Sequence, residues 1–278
     1  MVGRFVWRRN MGRKVEVSDM GDQIEKKGGN SPASQSLDRE WRLMNTALER
    51  LGQVGMATPV VARRCGRLIV ALDLTGSRAE SLKQARKATA AMFEAIRAVG
   101  SVAVQLVYYR GLRECRASLW HDDPRALSES MLRLSCETGL TQIARTLRLA
   151  ISETEKLSGM VFVGDHCEEH PDELLELARK LGQKSVPLFL FHECADHDEP
   201  SLRAKPVFEG MAKLSGGVYT EFRPDSGAIL RELLSTVAVF SAAGRAGLKQ
   251  VGQPDTAEAR KLRGSLLMLH AGDPKQSR

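Results

Sequence analysis

The stretch that decides the fold is Leu68-Ile69-Val70-Ala71-Leu72-Asp73-Leu74-Thr75-Gly76-Ser77, an apolar run that ends in a carboxylate followed by two spaced hydroxyls. A short apolar run of this kind is typical of a strand that is buried on both faces. Asp73, Thr75 and Ser77 alternate, so on extended backbone their side chains project to the same side. Oxygen ligands suit a hard divalent cation such as Mg²⁺. Three local ligands cannot complete an octahedral shell, so the rest of the chain must supply others.

Further apolar runs alternate with helical patterns along the chain. The runs cover 67–72, 102–109, 116–120, 160–164, 186–191 and 218–222. Helical patterns lie near 78–98, 124–134, 142–157, 171–182, 206–215 and 227–243. Strands that alternate with helices predict parallel pairing with helices on both faces. We therefore expect an α/β fold with an open, mostly parallel central sheet, in which ligands bind at the carboxyl ends of the strands.

Two more segments place oxygen ligands at the same predicted edge of the sheet. Thr141 opens the helix at 142–157, where its hydroxyl can either cap the helix or reach a ligand. Asp165 follows the apolar run at 160–164. Two carboxylates and three hydroxyls would balance part of the charge of a hard cation and leave it able to accept another ligand. The plainer alternative is that Thr141 only caps the helix and that both aspartates are loop carboxylates.

At this point the chain resembles the von Willebrand factor A (VWA) domains over about residues 66–245. The metal-ion-dependent adhesion site (MIDAS) of that family reads Asp-x-Ser-x-Ser, then a Thr in a Gly-rich turn, then an Asp after a strand. The matching residues are Asp73, Thr75, Ser77, Thr141 and Asp165. This chain departs from the pattern in having Thr75 for the middle Ser, Leu140 for a Gly and His166 for a Gly.

The resemblance implies a Rossmann-like fold and a Mg²⁺ or Mn²⁺ ion held by those five residues. It also implies a protein partner whose Asp or Glu completes the metal shell. Most VWA domains bind rather than catalyse, so we expect an adaptor or assembly subunit and not an enzyme. Intracellular relatives often belong to multiprotein assemblies, including ones driven by AAA+ ATPases.

A second set of metal-ligand residues lies in two short loops after the runs at 160–164 and 186–191. Imidazole and thiolate ligands suit Zn²⁺ better than Mg²⁺. The set that could form a zinc-type site is His166, Cys167, His170, His192, Cys194 and His197. Two alternatives stay open. The cysteines can be small buried thiols beside solvated histidines, or His166 and His192 can tune or pair with a ligand at the oxygen site.

The basic residues lie mainly at the chain ends. Residues 1–66 contain 12 Lys or Arg against seven Asp or Glu, and residues 249–278 contain six against three. Residues 67–248 contain 23 against 24. Basic ends can bind nucleic acid or an acidic partner, so a nucleic-acid-associated protein is an alternative function.

We expect four segments along the chain. They are a disordered basic N-terminal arm at 1–35, a docking helix and linker at 36–65, the VWA-like domain at 66–245, and a C-terminal tail with a short amphipathic helix at 246–278.

The sequence lacks the motifs that are typical of several protein classes. There is no Gly-x-Ser-x-Gly elbow, phosphate-binding loop or dinucleotide fingerprint. A metal-dependent hydrolase, with Glu168 or His166 as general base, is the remaining enzymatic alternative.

No uninterrupted apolar stretch approaches the roughly 18 to 20 residues of a membrane span, so we expect no membrane partner. The five cysteines lack disulfide-framework spacing, which favours a reducing compartment, and we expect a cytoplasmic location.

Overall fold

The apolar runs pair into a sheet of six strands. The computed structural model describes residues 65–76, 79–96, 99–194, 198–223 and 226–269. The strands are β1 Cys65–Asp73, β2 Ser101–Arg110, β3 Glu114–His121, β4 Gly159–Gly164, β5 Leu188–Glu193 and β6 Val218–Phe222. Their spatial order is β3-β2-β1-β4-β5-β6. The β2–β3 pair is antiparallel and the other four pairs are parallel.

Helices cover both faces of this sheet. Within the described residues they are α1 Ala79–Ile96, α2 Pro124–Leu132, α3 Ile143–Ser152, α4 Pro171–Gln183, α5 Glu199–Ser215, α6 Gly227–Gln250 and α7 Ala257–Met268. On one face α1 packs against α2 and α6, and α6 packs against α7. On the other face α4 packs between α3 and α5. The predicted fold class is confirmed.

The alternation of side chains along β1 supplies both halves of the core. Leu68, Val70 and Leu72 join the cluster on the face of α1, α6 and α7. Ile69 and Ala71 join the cluster on the face of α3, α4 and α5. Successive residues of a strand point to opposite faces, so a strand covered on both sides must be apolar throughout. That requirement explains the unbroken apolar run that first identified β1.

The strand order brings two strand ends together at the point where the chain changes direction. The chain moves outward from β1 to β2 and β3 and then returns to form β4 on the other side of β1. Leu72 pairs with Val163 in the β1–β4 register. The residues after β1 and β4 therefore meet at a topological switch point, the usual position of a ligand site in an open α/β sheet.

Both ends of each predicted strand lie within two residues of the ends of an observed strand. The predicted helix ends differ more from the observed ones. The helix expected at 206–215 begins earlier, at Glu199, and Pro200 lies in its first turn, where proline is tolerated. The helix expected at 142–157 ends at Ser152.

The C-terminal region differs most from expectation. The boundary expected at 245 falls inside α6, which bends at Gly244 (φ 60°) and continues to Gln250. Leu262 and Leu266 of α7 are fully buried in the core. The short amphipathic helix expected in the C-terminal segment is thus α7, and its apolar side packs on the same core as α6. The expected N-terminal arm at 1–35 and nearly all of the docking segment at 36–65 lie outside the described residues.

The long helix α6 is apolar enough, by length and composition, to cross a membrane, and it is the one described helix that meets this criterion. Half of its most apolar window is buried inside the protein. Leu233, Leu234 and Val237 lie within the core. Core helices of soluble domains commonly meet the same criterion, so we interpret α6 as the central helix of one core layer.

Candidate metal centre

Asp73 forms the centre of the rim at the carboxyl ends of the parallel strands. Its side chain is buried, with 2% of the residue exposed. Its Oδ1 accepts a hydrogen bond from the Thr75 backbone N–H at 2.8 Å, and its Oδ2 accepts one from the Tyr109 hydroxyl at 2.9 Å. Tyr109 is the register partner of Asp73 on β2 and stacks on Phe162. Because a donor contacts each oxygen, the carboxylate is fixed in one orientation.

The loop after β1 is joined to the loop that precedes α3. The Glu137 N–H donates to the Leu74 carbonyl at 3.0 Å. Gly76 lies against Thr138 so closely that a Cβ on Gly76 would lie 2.7 Å from the Thr138 hydroxyl. A Cβ on Gly139 would lie 1.9 Å from the Gly111 carbonyl oxygen, so only glycine fits there. The β2–β3 turn and the two rim loops therefore pack as one unit.

Thr141 lies in this second loop and is bound to the loop after β4. Its N–H donates to a Glu168 carboxylate oxygen at 2.9 Å, and the Glu168 N–H donates to its hydroxyl oxygen at 3.0 Å. The next residue, Glu169, accepts from the N–H groups of Ile143 and Ala144 at 2.5 and 2.8 Å. Burial raises the pKa of Glu169, and hydrogen bonds from these amides and from the Thr141 side chain oppose that rise.

Asp165 begins the loop after β4, directly after the residue that lies against Asp73. A Cβ on the preceding Gly164 would lie 3.6 Å from the Asp73 Cβ. The Asp165 side chain is 14% exposed. Its backbone carbonyl lies 2.9 Å from Nε2 of His192. The structure thus brings the loops that carry Asp73, Thr75, Thr141 and Asp165 together at the switch point, whereas Ser77 lies outside the described residues.

The chemistry of this donor set fits a hard cation. The described members are two carboxylates and two hydroxyls, and no nitrogen or sulfur ligand is required. Their identity as ligands stays a prediction. The alternative function of Thr141 as a simple helix cap is not what the structure shows: the N-cap of α3 is Gln142, which makes no side-chain cap hydrogen bond.

The histidines and cysteines of the second predicted site have separate partners. His166 Nε2 contacts Asp198 Oδ2 at 2.8 Å. His170 has a 74% exposed side chain. The thiols of Cys167 and Cys194 contact backbone carbonyls, and burial raises both pKa values, that of Cys167 to about 11. The described residues contain no group of three or more His, Cys, Asp or Glu that could hold a metal, and His197 lies outside them. The zinc-type site stays a prediction without a described ligand cluster.

His192 is committed to the protein interior. It is 1% exposed, and burial lowers its pKa, which favours the neutral ring. Its Nδ1 lies 2.7 Å from the Tyr219 hydroxyl, which donates to Glu221 at 2.9 Å. Its Nε2 lies 2.9 Å from both the Ser201 hydroxyl and the Asp165 carbonyl. These contacts accord with the alternative that His192 supports the oxygen site.

The Ser201–His192 pair resembles part of a hydrolytic triad, but its burial argues against that chemistry. Ser201 is 1% exposed, and a nucleophile must reach its substrate. The two residues suggested as general bases for a metal-dependent hydrolase are also engaged. Glu168 binds the Thr141 N–H, and His166 contacts Asp198.

Sequence reasoning did not find the supporting roles of Tyr109, Glu168 and Glu169. Tyr109 could have been found as a hydroxyl-bearing residue at the end of the strand next to β1. The pair Glu168-Glu169 was visible beside Asp165, but its partners at the start of α3 lie about 25 residues earlier in the chain. Only the tertiary structure reveals those contacts.

Neither a protein-family model nor a curated protein sequence matches this chain. Several solved structures are similar to it. A von Willebrand factor type A protein from Catenulispora acidiphila is 18% identical over 63% of this chain and 43% of its own, with a TM-score of 0.49. Proximal thread matrix protein 1 from the mussel byssus, with a zinc-occupied MIDAS motif, is 12% identical over 63% of this chain and 46% of its own, with a TM-score of 0.49.

A mutant of the PilB minor pilin from Streptococcus sanguinis is 8% identical over 65% of this chain and 62% of its own, with a TM-score of 0.50. The chain spans less than half of the first two proteins and less than two thirds of the pilin. At these identities the likeness shows the fold alone. The solved structures that are similar to this chain include one described as von Willebrand factor type A and one described as carrying a MIDAS motif.

Proposed function

We propose that this chain is an intracellular VWA-type protein that binds a protein partner through a divalent cation. Asp73, Thr75, Ser77, Thr141 and Asp165 would hold Mg²⁺ or Mn²⁺ at the rim. The cation would supply an electrophilic position for an Asp or Glu of the partner. Such a protein acts as an adaptor or assembly subunit, including one of an assembly driven by an AAA+ ATPase, and needs no catalytic group of its own.

One observation carries this proposal. Three loops that are distant in sequence converge at the switch point of the sheet, and each carries residues of the predicted ligand set. Hydrogen bonds hold the convergence together: Glu137 N–H to the Leu74 carbonyl, and the reciprocal pair between Thr141 and Glu168. Ligand groups held in place before binding lose less conformational entropy when the ligand arrives.

Metal titration of the full chain tests the first half of the proposal. Wild-type protein purified without an affinity tag is titrated with Mn²⁺ and followed by electron paramagnetic resonance. We expect one ion per chain, displaced by excess Mg²⁺. Asp73→Asn should weaken binding by at least about 100-fold, because it replaces a charged carboxylate ligand with a neutral amide and does not merely remove a supporting contact. Asp122→Asn, a matched change just past β3, should leave Mn²⁺ binding unchanged.

Wild-type protein that takes up no Mn²⁺ would contradict the proposal. A parallel Zn²⁺ titration examines the zinc alternative.

Partner capture tests the second half. Immobilised wild-type protein is exposed to cell extract in Mg²⁺ or in EDTA, alongside Asp73→Asn in Mg²⁺. We expect specific proteins in the first sample that are depleted from the other two. The same proteins in all three samples would show that binding does not pass through the cation.

A further inference from the structure

The loop after β4 makes two carboxylate contacts that the proposed cation site does not itself require. Glu168 and Thr141 exchange hydrogen bonds in both directions, at 2.9 and 3.0 Å. Glu169 binds two consecutive N–H groups at the start of α3, those of Ile143 and Ala144. Both glutamates come from the loop that begins with Asp165. The loop that begins with Asp165 is thus hydrogen-bonded to the loop that carries Thr141, and both loops carry predicted ligands.

The contacts between the two loops also determine how the Thr141 hydroxyl is oriented. A threonine hydroxyl has one hydrogen to donate and two lone pairs. One lone pair accepts the Glu168 N–H at 3.0 Å. The adjacent Glu169 carboxylate is held on the N–H groups of Ile143 and Ala144, beside the Thr141 side chain that lowers its pKa, and is the acceptor that we assign to the hydroxyl hydrogen. With the hydroxyl hydrogen directed to the Glu169 carboxylate, the second lone pair of the hydroxyl oxygen is available to a cation. A carboxylate that accepts a ligand's hydrogen orients the ligand and raises its basicity.

We propose that Glu168 and Glu169 are positioning residues that hold the Thr141 hydroxyl oriented as a cation ligand; this inference rests on the proposed function. Glu168 fixes the position of the threonine through its main chain and its carboxylate. Glu169 fixes the rotation of the hydroxyl and anchors the loop to α3. The two ligand loops therefore move as one body, and cation affinity depends on residues that never touch the cation.

A purely structural role for Glu169 makes a different prediction. The two N–H groups it binds are among those that a helix start leaves without partners inside the helix, and capping them stabilises α3 whether or not Thr141 has a hydroxyl. Loss of such a cap would weaken cation binding equally with and without that hydroxyl. Loss of positioning would weaken binding only when the hydroxyl is present.

A double-mutant cycle on the full chain separates the two roles. Mn²⁺ affinity is measured by electron paramagnetic resonance for wild type, Glu169→Gln, Thr141→Val and the combined variant, with the Tm of each recorded in EDTA. We expect Glu169→Gln to weaken binding about 10- to 100-fold in the wild-type background and less than about threefold in the Thr141→Val background. Glu173→Gln, a nearby half-exposed glutamate that pairs with Arg148, is the matched control and should change affinity less than about threefold.

Either of two results overturns the inference while the proposed function survives. Glu169→Gln can bind Mn²⁺ within threefold of wild type, or it can lose the same factor in both backgrounds. Wild-type protein that binds no Mn²⁺ overturns both. If Glu169→Gln is unfolded at the assay temperature, Glu168→Gln replaces it in the cycle, where we expect at least a threefold loss that vanishes in the Thr141→Val background.

Discussion

The Tyr109 hydroxyl provides the sharpest test of how the buried Asp73 carboxylate is held. Tyr109→Phe removes one oxygen and leaves the ring, which stacks on Phe162 with centroids 6.4 Å apart. The hydroxyl donates to Asp73 Oδ2 at 2.9 Å, and Tyr109 and Asp73 are 0% and 2% exposed. The change therefore withdraws a donor from a buried carboxylate without creating a large cavity.

The expected cost follows from that geometry. A hydrogen bond to a charged group contributes about 1.5 to 3 kcal/mol to the free energy of unfolding. Water cannot readily replace the hydroxyl at a position this buried, so we expect a loss within that range. For a domain of this size each kcal/mol lowers the Tm by about 2 to 4 °C. The variant should therefore melt roughly 3 to 12 °C below wild type.

The assay is urea and thermal unfolding in EDTA, followed by circular dichroism, so that cation binding does not contribute. Tyr108→Phe is the matched control, because its hydroxyl makes a longer 3.3 Å contact with Glu114 near the surface. We expect that control to cost less than about 1 kcal/mol. If both variants lose the same amount, or if Tyr109→Phe loses less than about 0.5 kcal/mol, Asp73 does not depend on this donor and our account of the site is wrong.

Three further changes test other parts of the structure. Leu266→Ala should lower the free energy of unfolding by about 2 to 4 kcal/mol, and Met268→Ala, at an 80% exposed position, by less than about 0.5 kcal/mol; equal effects in urea unfolding would contradict the packing of α7. Glu232 accepts three hydrogen bonds from the start of α7, which lower its pKa against the opposing effect of burial, so Glu232→Gln should cost about 1 kcal/mol at pH 7. A carboxylate with a lowered pKa stabilises the fold above its unfolded value of 4.5, so this difference should shrink as the pH falls below 4.5, and a pH-independent difference would argue against it. Gly139→Ala should destabilise the domain by about 1 to 3 kcal/mol because its Cβ would overlap the β2–β3 turn, whereas Gly264→Ala, with open space around it, should not; tolerance of both in a thermal melt would refute the close packing of the rim loops.

The sequence was sufficient to predict the sheet because burial on both faces leaves a strong signal. The central parts of strands such as β1 and β4 must be apolar at every position, and residues 68–72 and 160–163 satisfy that requirement. Helix ends were predicted less well because they depend on local contacts. The helix α5 starts at Glu199 through a polar first turn that has no apolar periodicity to reveal it.

The packing of the C-terminal helix could not be predicted for a related reason. Residues after 245 carry few apolar side chains, so they look like a tail in isolation. Leu262 and Leu266 nevertheless fill a gap beside α6, and Glu232 binds the start of α7. An amphipathic helix in sequence does not reveal whether its apolar side meets the same domain. The surface on which α7 packs is formed by residues distant in the sequence, so this contact is visible only in the folded chain.

The loop from Asp165 to Glu169 shows where the departure from the VWA pattern has its effect. The residue that replaces the usual glycine, His166, contacts Asp198. The carbonyl of Asp165 lies against the buried His192, and the two glutamates bind the Thr141 loop and the start of α3. Groups bonded in this way stiffen a loop, because each bond must break before the loop can move. The unusual residues after β4 therefore support the predicted oxygen ligands by holding their loops in place, and a second metal would have to break several of these bonds to recruit them.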